Sequence, residues 1–239
     1  MKITFSQRNT LVVLLFFPIA ALLLYGSDLS QRVFYQYGVI SQDNEVRTSS
    51  ISLLKVKRKG SMILGMTEDR KQQLLGVNGL FYLLDSNGLV TEAPLLSQVS
   101  FAYAVRFHSD ATQHIDERFT YSDFELYLLD NLGLERMYAV QLTGDFMSLD
   151  LAYVSGLGGS SFFSVSEQQL FQHYDDISGC LFGFVLPSFM SNFFFEDTYV
   201  FYFISDDRQV AGRVLDFVLV QGDVSVDLKT KFTLDIPKS

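Results

Sequence analysis

The sequence predicts a β-rich fold of hairpins joined by a few short helices, carried behind an apolar N-terminal segment. Three observations predict it. Apolar residues make up 48% of the 239 residues and charged residues 19%, enough for a sizeable core and too little charge for a disordered or fibrous chain. Runs rich in Phe, Tyr, Val and Leu recur between turn residues, most densely after residue 180. Helix start signals are few. The net charge of −9 argues against a nucleic-acid partner, which needs clustered cations for phosphate contacts. The one cysteine, Cys180, excludes an internal disulfide and a Cys-rich zinc site, and three histidines leave little for a multi-histidine metal centre.

Residues 1–26 are read as a signal or anchor and 27–239 as the folded body. Lys2 and Arg8 precede an uncharged run from Leu11 to Tyr25, and Gly26, Ser27 and Asp28 end it. A basic head before an apolar run is the export pattern. At ~1.5 Å per residue the run spans roughly 22 Å against a bilayer core of about 30 Å, which favours a cleaved signal peptide. Leu24 is too large for a small-residue cleavage site, which favours an uncleaved membrane anchor through residues 11–25. A buried core segment is the third alternative. The positive-inside bias places the body in the periplasm or otherwise outside the cytoplasm, tethered to the inner membrane. Beyond residue 26, 16 bases face all 27 acids, a net of −11, which predicts a soluble body without affinity for an anionic membrane.

The elements follow in order. Leu80–Leu84 reads as a strand entering the turn Asp85-Ser-Asn-Gly88, where Asn-Gly tolerates positive φ. Val99–Phe107 is a second strand. Ser122 and Glu125 form a capping box before Leu126, Leu129 and Leu132 at helical spacing, with Gly133 as the stop. Tyr138–Leu142 and Asp145–Leu149 read as a hairpin turning at Thr143-Gly144. Ser164 and Glu167 cap a second helix to about Tyr174. Cys180–Leu186, Tyr199–Ile204 and Val214–Val220 read as strands. Gln221-Gly222 then turns into Asp223–Leu228, whose alternation marks a half-buried strand. Gly156–Ser161 has the letters of a phosphate loop but no Lys and no framing strand–helix unit, so it reads as a plain loop.

Several segments together resemble the bacterial alpha-acetolactate decarboxylase family. They are Val33–Ile40 with its Tyr-Gln, Leu64-Gly-Met-Thr67 with Gly79-Leu-Phe-Tyr82, Ser100–Ala104, Tyr138–Phe146, Gly179–Pro187, and Phe203–Arg208 followed by Gly212–Phe217. Order and spacing hold from about residue 33 to 236. The resemblance implies an α+β fold of two β-rich halves with mixed sheets and a few short helices.

The same resemblance implies a zinc held by three histidines, which would carry acetolactate to acetoin by stabilising an enediolate. At the matching positions this chain has Val200, Tyr202 and Arg213. A family Glu is matched by Gln73 and a family Arg by about Ala152, and a family Glu-bearing C-terminal tail has no counterpart. Val offers no ligand, neutral Tyr is a poor one, and Arg repels a dication. The resemblance therefore predicts a catalytically inactive relative with no zinc and no other cofactor, acting as a binding or scaffolding part of a cell-envelope assembly such as a secretion system. The alternatives are an active enzyme of the acetolactate decarboxylase type, and a small-carboxylate sensor that keeps the pocket.

His108, Asp110, His114 and Asp116 match no zinc spacing and read as an exposed loop. His173 reads as a helix-surface residue, Asp206, Asp207 and Arg208 as turn-capping or ion-pair groups, and Cys180 as a core thiol. Phe193, Phe194 and Phe195 sit in a predicted loop too short to turn all three inward. They are the candidate contact patch for another envelope protein, and a homo-oligomer is a further expectation.

Overall fold

Two antiparallel-dominated sheets, packed face to face, carry nearly all the regular structure. The computed structural model describes residues 32–38, 50–133, 135–153, 170–187, 190 and 198–236. The apolar run 11–25, the Gly156–Ser161 loop and Phe193, Phe194 and Phe195 lie outside these residues. The elements are β1 (Val33–Tyr37), β2 (Ile51–Ser52), α1 (Leu53–Lys57), β3 (Met62–Thr67), β4 (Gln72–Val77), β5 (Leu80–Asp85), β6 (Val90–Glu92) and β7 (Gln98–Val105). Then come β8 (Ala111–Ile115), β9 (Phe119–Thr120), α2 (Tyr121–Asn131), β10 (Met137–Tyr153), β11 (Leu170–Val185), β12 (Tyr199–Ser205), β13 (Ala211–Lys229) and β14 (Lys231–Asp235). This is the α+β architecture of two β-rich halves.

The first sheet runs β14-β1-β7-β3-β4-β5-β6, with β2 beside β7; β1–β14 is its parallel pair. In the second, β10 pairs with both β11 and β13, β11 with β12, and β12 with β13, so four strands close on themselves, and β8 and β9 add to β13. Closure removes the strand edges that would invite aggregation. Strand alternation then sorts the side chains. Leu142, Phe146, Phe203, Phe217 and Val224 fill the closed half together with Phe124 and Leu128 of α2. Leu64, Leu75 and Tyr103 of the first sheet meet Phe182, Phe184, Val200 and Tyr202 of the second. The outer face of the first sheet buries Tyr35, Ile63 and Ala104 under Leu53 and Val56 of α1.

Two expected turns are absent. Thr143-Gly144 and Gln221-Gly222 lie inside the continuous strands β10 and β13. Gly144 pairs with Gly179 on one side and Gly222 on the other. A Cβ on Gly144 would stand 2.2 Å from the Gln221 carbonyl oxygen, and one on Gly179 2.4 Å from that of Ile204. These glycines serve close strand approach, not chain reversal. By contrast Asn78-Gly79 and Gly88 do turn the chain, at φ of 53°, 78° and 84°.

Helix α2 is capped two residues earlier than expected. Thr120 Oγ1 accepts from the Asp123 N–H at 3.2 Å, and Asp123 returns the bond to the Thr120 N–H at 2.9 Å. Its buried stripe is Phe124, Leu128 and Leu132, while Leu126 and Leu129 are 57% and 48% exposed. The second expected helix is also corrected: residues 170–174 belong to β11, and 164–169 lie outside the described residues. The stretch around His108–Glu117 holds strand β8, a half-exposed edge rather than a loop.

Candidate active site

Strands β12 and β13 pair so that Tyr202 faces Arg213, and β13 and β10 pair so that Arg213 faces Ala152. Directly opposed residues share a face, so Ala152, Arg213 and Tyr202 form one row across three strands. Val200, two residues before Tyr202, shares that face. From the opposing sheet, β4 brings Gln73 across the interface: its Nε2 donates to the Tyr202 hydroxyl oxygen at 2.9 Å. All of these side chains are buried. The sequence-matched positions Gln73, Ala152, Val200, Tyr202 and Arg213 thus meet between the two sheets, amid Leu84, Phe101, Phe182 and other apolar side chains.

The local chemistry is unusual for a core. Burial pushes the Tyr202 phenol up to about 12, while the Arg213 charge and the Gln73 hydrogen bond pull it down. Tyr202 is therefore a neutral donor at physiological pH. Gln73 Oε1 is buried and accepts no hydrogen bond among the described residues. A buried acceptor left unmet costs about 1–3 kcal/mol, so Gln73 Oε1 is an acceptor open to a donor at this spot.

These side chains do not fit a zinc ion. Val200 has no donor atom, Tyr202 keeps its proton, and Arg213 holds a permanent positive charge where a dication would sit. Among the described residues no three His, Cys, Asp or Glu side chains group to hold a metal.

The histidines serve elsewhere. His114 Nδ1 lies 2.8 Å from Asp223 on the exposed edge of β8. His108 is exposed, and its backbone N–H donates to Asp227 at 2.7 Å. His173 lies on strand β11, not a helix, with Nδ1 2.6 Å from Asp150 and Nε2 3.2 Å from Asp175. Asp207 accepts from the Ser205 hydroxyl at 2.6 Å and the Gln209 N–H at 3.0 Å, and so shapes the β12–β13 turn, where Arg208 has φ 63°. Cys180 is buried, and burial pushes its thiol up to about 11.

Sequence reasoning missed a buried charge cluster. Lys229 Nζ bonds Asp227 at 2.5 Å and the Arg106 carbonyl at 2.8 Å. Arg32 bonds Asp110 at 2.5 Å and the Leu228 carbonyl at 3.0 Å. The cluster ties β1, the β7–β8 link and the end of β13 together. The alternation of Asp223–Leu228 signalled strand but not which polar residues would be covered.

The alpha-acetolactate decarboxylase family profile matches residues 34–239. An alpha-acetolactate decarboxylase of Methanosarcina mazei is 26% identical over 188 residues, 77% of this chain; the chain spans only 65% of that relative's length. The Bacillus subtilis enzyme of the same name is 26% identical over 199 residues, 81% of this chain and 77% of the relative. A crystal structure of alpha-acetolactate decarboxylase from Bacillus subtilis strain 168 superposes with a TM-score of 0.76 at 24% identity, covering 87% of this chain and 90% of that one. An inactive relative, the sequence expectation, is overturned by these likenesses: the similar proteins along most of the chain bear the name of an enzyme. The expectation rested on the lost metal ligands alone, whereas an amide, a phenol and a guanidinium still converge at these positions. On the span and order of the match, the chain belongs to the alpha-acetolactate decarboxylase family.

Proposed function

We propose that the chain is a carbon–carbon lyase of the acetolactate decarboxylase type, releasing carbon dioxide from a small 2-hydroxy-3-oxo carboxylate at Gln73, Tyr202 and Arg213. The observation that carries this reading is the Gln73–Tyr202 pair. Because Tyr202 accepts from Gln73 Nε2, its own proton is spent on no described residue, and Gln73 Oε1 is open to a donor. A ketone oxygen accepting from Tyr202 and a neighbouring hydroxyl donating to Gln73 satisfy both.

The reaction needs little else. When a 3-oxo acid loses carbon dioxide, the pair of the breaking C–C bond moves into the ketone and leaves an enediolate. The carbon then recovers one proton, so one proton is taken up per carbon dioxide lost. Tyr202 donates to the oxygen where negative charge grows, and the Arg213 cation on the facing strand favours that charge in a site of low dielectric. No step is assigned to zinc, because the side chains present do not hold one.

The test is steady-state acetoin release from acetolactate by the full chain and by Tyr202→Phe and Gln73→Leu. Removing one preorganised donor costs about 100-fold or more in kcat, and Gln73→Leu raises KM. A Tyr202→Phe enzyme as fast as the parent contradicts the assignment, and ligand binding without turnover contradicts the lyase reading. Export and tethering through residues 1–26 belong to the same proposal, supported by Lys2, Arg8 and the uncharged run. Protection of the body from protease added to inverted inner-membrane vesicles checks them.

A further inference from the structure

We propose that the α1 face of the first sheet docks on an anionic lipid surface. Four of the chain's 18 Lys and Arg residues fall within Lys55–Lys59, in a protein of net charge −9. Lys55, Lys57, Arg58 and Lys59 are all exposed, and none forms an ion pair among the described residues. Lys57 and Lys59 lie over the outer face of the first sheet. Lys57 Nζ lies 5.2 Å from the Phe81 ring centre and Lys59 Nζ 4.6 Å from that of Tyr35, while Arg106 donates to the Arg58 carbonyl at 3.1 Å. Two carboxylates stand at the margins of this face, Asp235 bonded to the Tyr35 hydroxyl and Glu68 bonded to the Ser50 hydroxyl, against four cations. The local charge is therefore positive although the body as a whole is acidic, and whole-chain charge misleads here.

Beside the cations lies an apolar edge. Leu54, Leu95 and Leu96 are 37%, 41% and 76% exposed. The Leu54 N–H donates to the Leu95 carbonyl and the Leu53 N–H to the Ser97 carbonyl, which fixes this edge against α1. Exposed leucines rimmed by Lys and Arg suit the boundary between headgroups and acyl chains. A polyanion such as nucleic acid has no use for the leucines.

The chain's own path favours a membrane over a soluble acidic partner. The apolar run ends at Tyr25, and Arg32 opens the described fold. Seven residues reach at most about 25 Å. Strand β1, which follows at once, carries Tyr35 under Lys59, and its Phe34 pairs with Val105 beside Gly60. A bilayer that holds residues 11–25 is thus within reach of the patch.

The test places a polarity-sensitive label on Leu96→Cys in the full chain, with the unlabelled-site parent as control for the buried Cys180. It is mixed with vesicles of phosphatidylcholine, with or without phosphatidylglycerol, that contain brominated lipid as quencher. Each basic residue contributes about fivefold to an anionic-surface equilibrium. Replacing the four with Gln (K55Q/K57Q/R58Q/K59Q) lowers docking several hundred-fold. Salt at about 1 M, with a Debye length of ~3 Å, lowers it in the parent without any substitution. Quenching that requires phosphatidylglycerol and is lost in both ways is expected. Three results overturn the proposal: no quenching with phosphatidylglycerol, equal quenching on phosphatidylcholine alone, or an equal response to soluble poly-glutamate, which would make the partner an acidic protein.

Discussion

Removing the Lys229 ammonium should unfold this protein far more readily than removing any surface lysine. The Lys229 side chain is fully covered, and its Nζ bonds Asp227 Oδ2 at 2.5 Å and the Arg106 carbonyl at 2.8 Å. In Lys229→Met the Asp227 carboxylate stays buried with the His108 N–H at 2.7 Å and the Arg32 guanidinium 4.0 Å away. Burial already disfavours that charge, raising the Asp227 carboxyl above its ordinary range, and the Lys229 charge opposes this. Leaving one partner of a buried pair costs about 3–5 kcal/mol. At roughly 2–4 °C per kcal/mol for a chain of this size, Tm falls by about 6–20 °C. Replacing both members with apolar residues, as in Asp227→Leu with Lys229→Met, recovers most of the loss, because the penalty lies in the orphaned charge. Thermal unfolding followed by circular dichroism decides it. A single variant within about 1 kcal/mol of the parent, or a double variant no better than the single, refutes the reasoning.

Other expectations follow from the same physics. Gly144→Ala drives a methyl into the Gln221 carbonyl where three strands meet, so it should cost at least about 1–3 kcal/mol in urea unfolding. Thr120→Ala removes the true cap of α2 and should cost about 1 kcal/mol, while Ser122→Ala should be near neutral; equal losses would contradict the cap assignment. Asp150 first, then Asp175, raises the His173 imidazole above 6.5, so its stabilising charge is fully present below pH 6.5 and is lost as pH climbs through the raised value. An NMR titration of His173 should show a midpoint above 6.5 that drops in Asp150→Asn.

The candidate site was legible because strand alternation and matched flanks, Asp206-Asp207-Arg208 after Tyr202 and Val214 after Arg213, fixed the register. Pairing then made Tyr202 and Arg213 neighbours. The long strands were not legible. Gly144 and Gly222 carry turn letters, yet a glycine that permits a turn equally permits a neighbouring backbone to approach, and only the paired strand reveals which. Nor could the cap be chosen, since Thr120 with Asp123 and Ser122 with Glu125 both satisfy the spacing. The first lets Phe124 and Leu128 face the closed half, whereas the second implied a buried stripe through Leu126 and Leu129. Asp227 and Lys229 alternate as solvent-facing residues do; the β7–β8 link that covers them is distant in sequence.

Turnover without a coordinated metal is what the site residues Gln73, Tyr202 and Arg213 would have to deliver. Full-length protein, freed of loosely held ions with a chelator, is assayed for acetoin from acetolactate while bound zinc is counted by elemental analysis. The expected result is acetoin release above the uncatalysed rate, with one proton taken up per turnover and zinc far below one per chain. No release above background, or release that appears only with stoichiometric zinc, contradicts the assignment of the chemistry to Tyr202, Gln73 and Arg213.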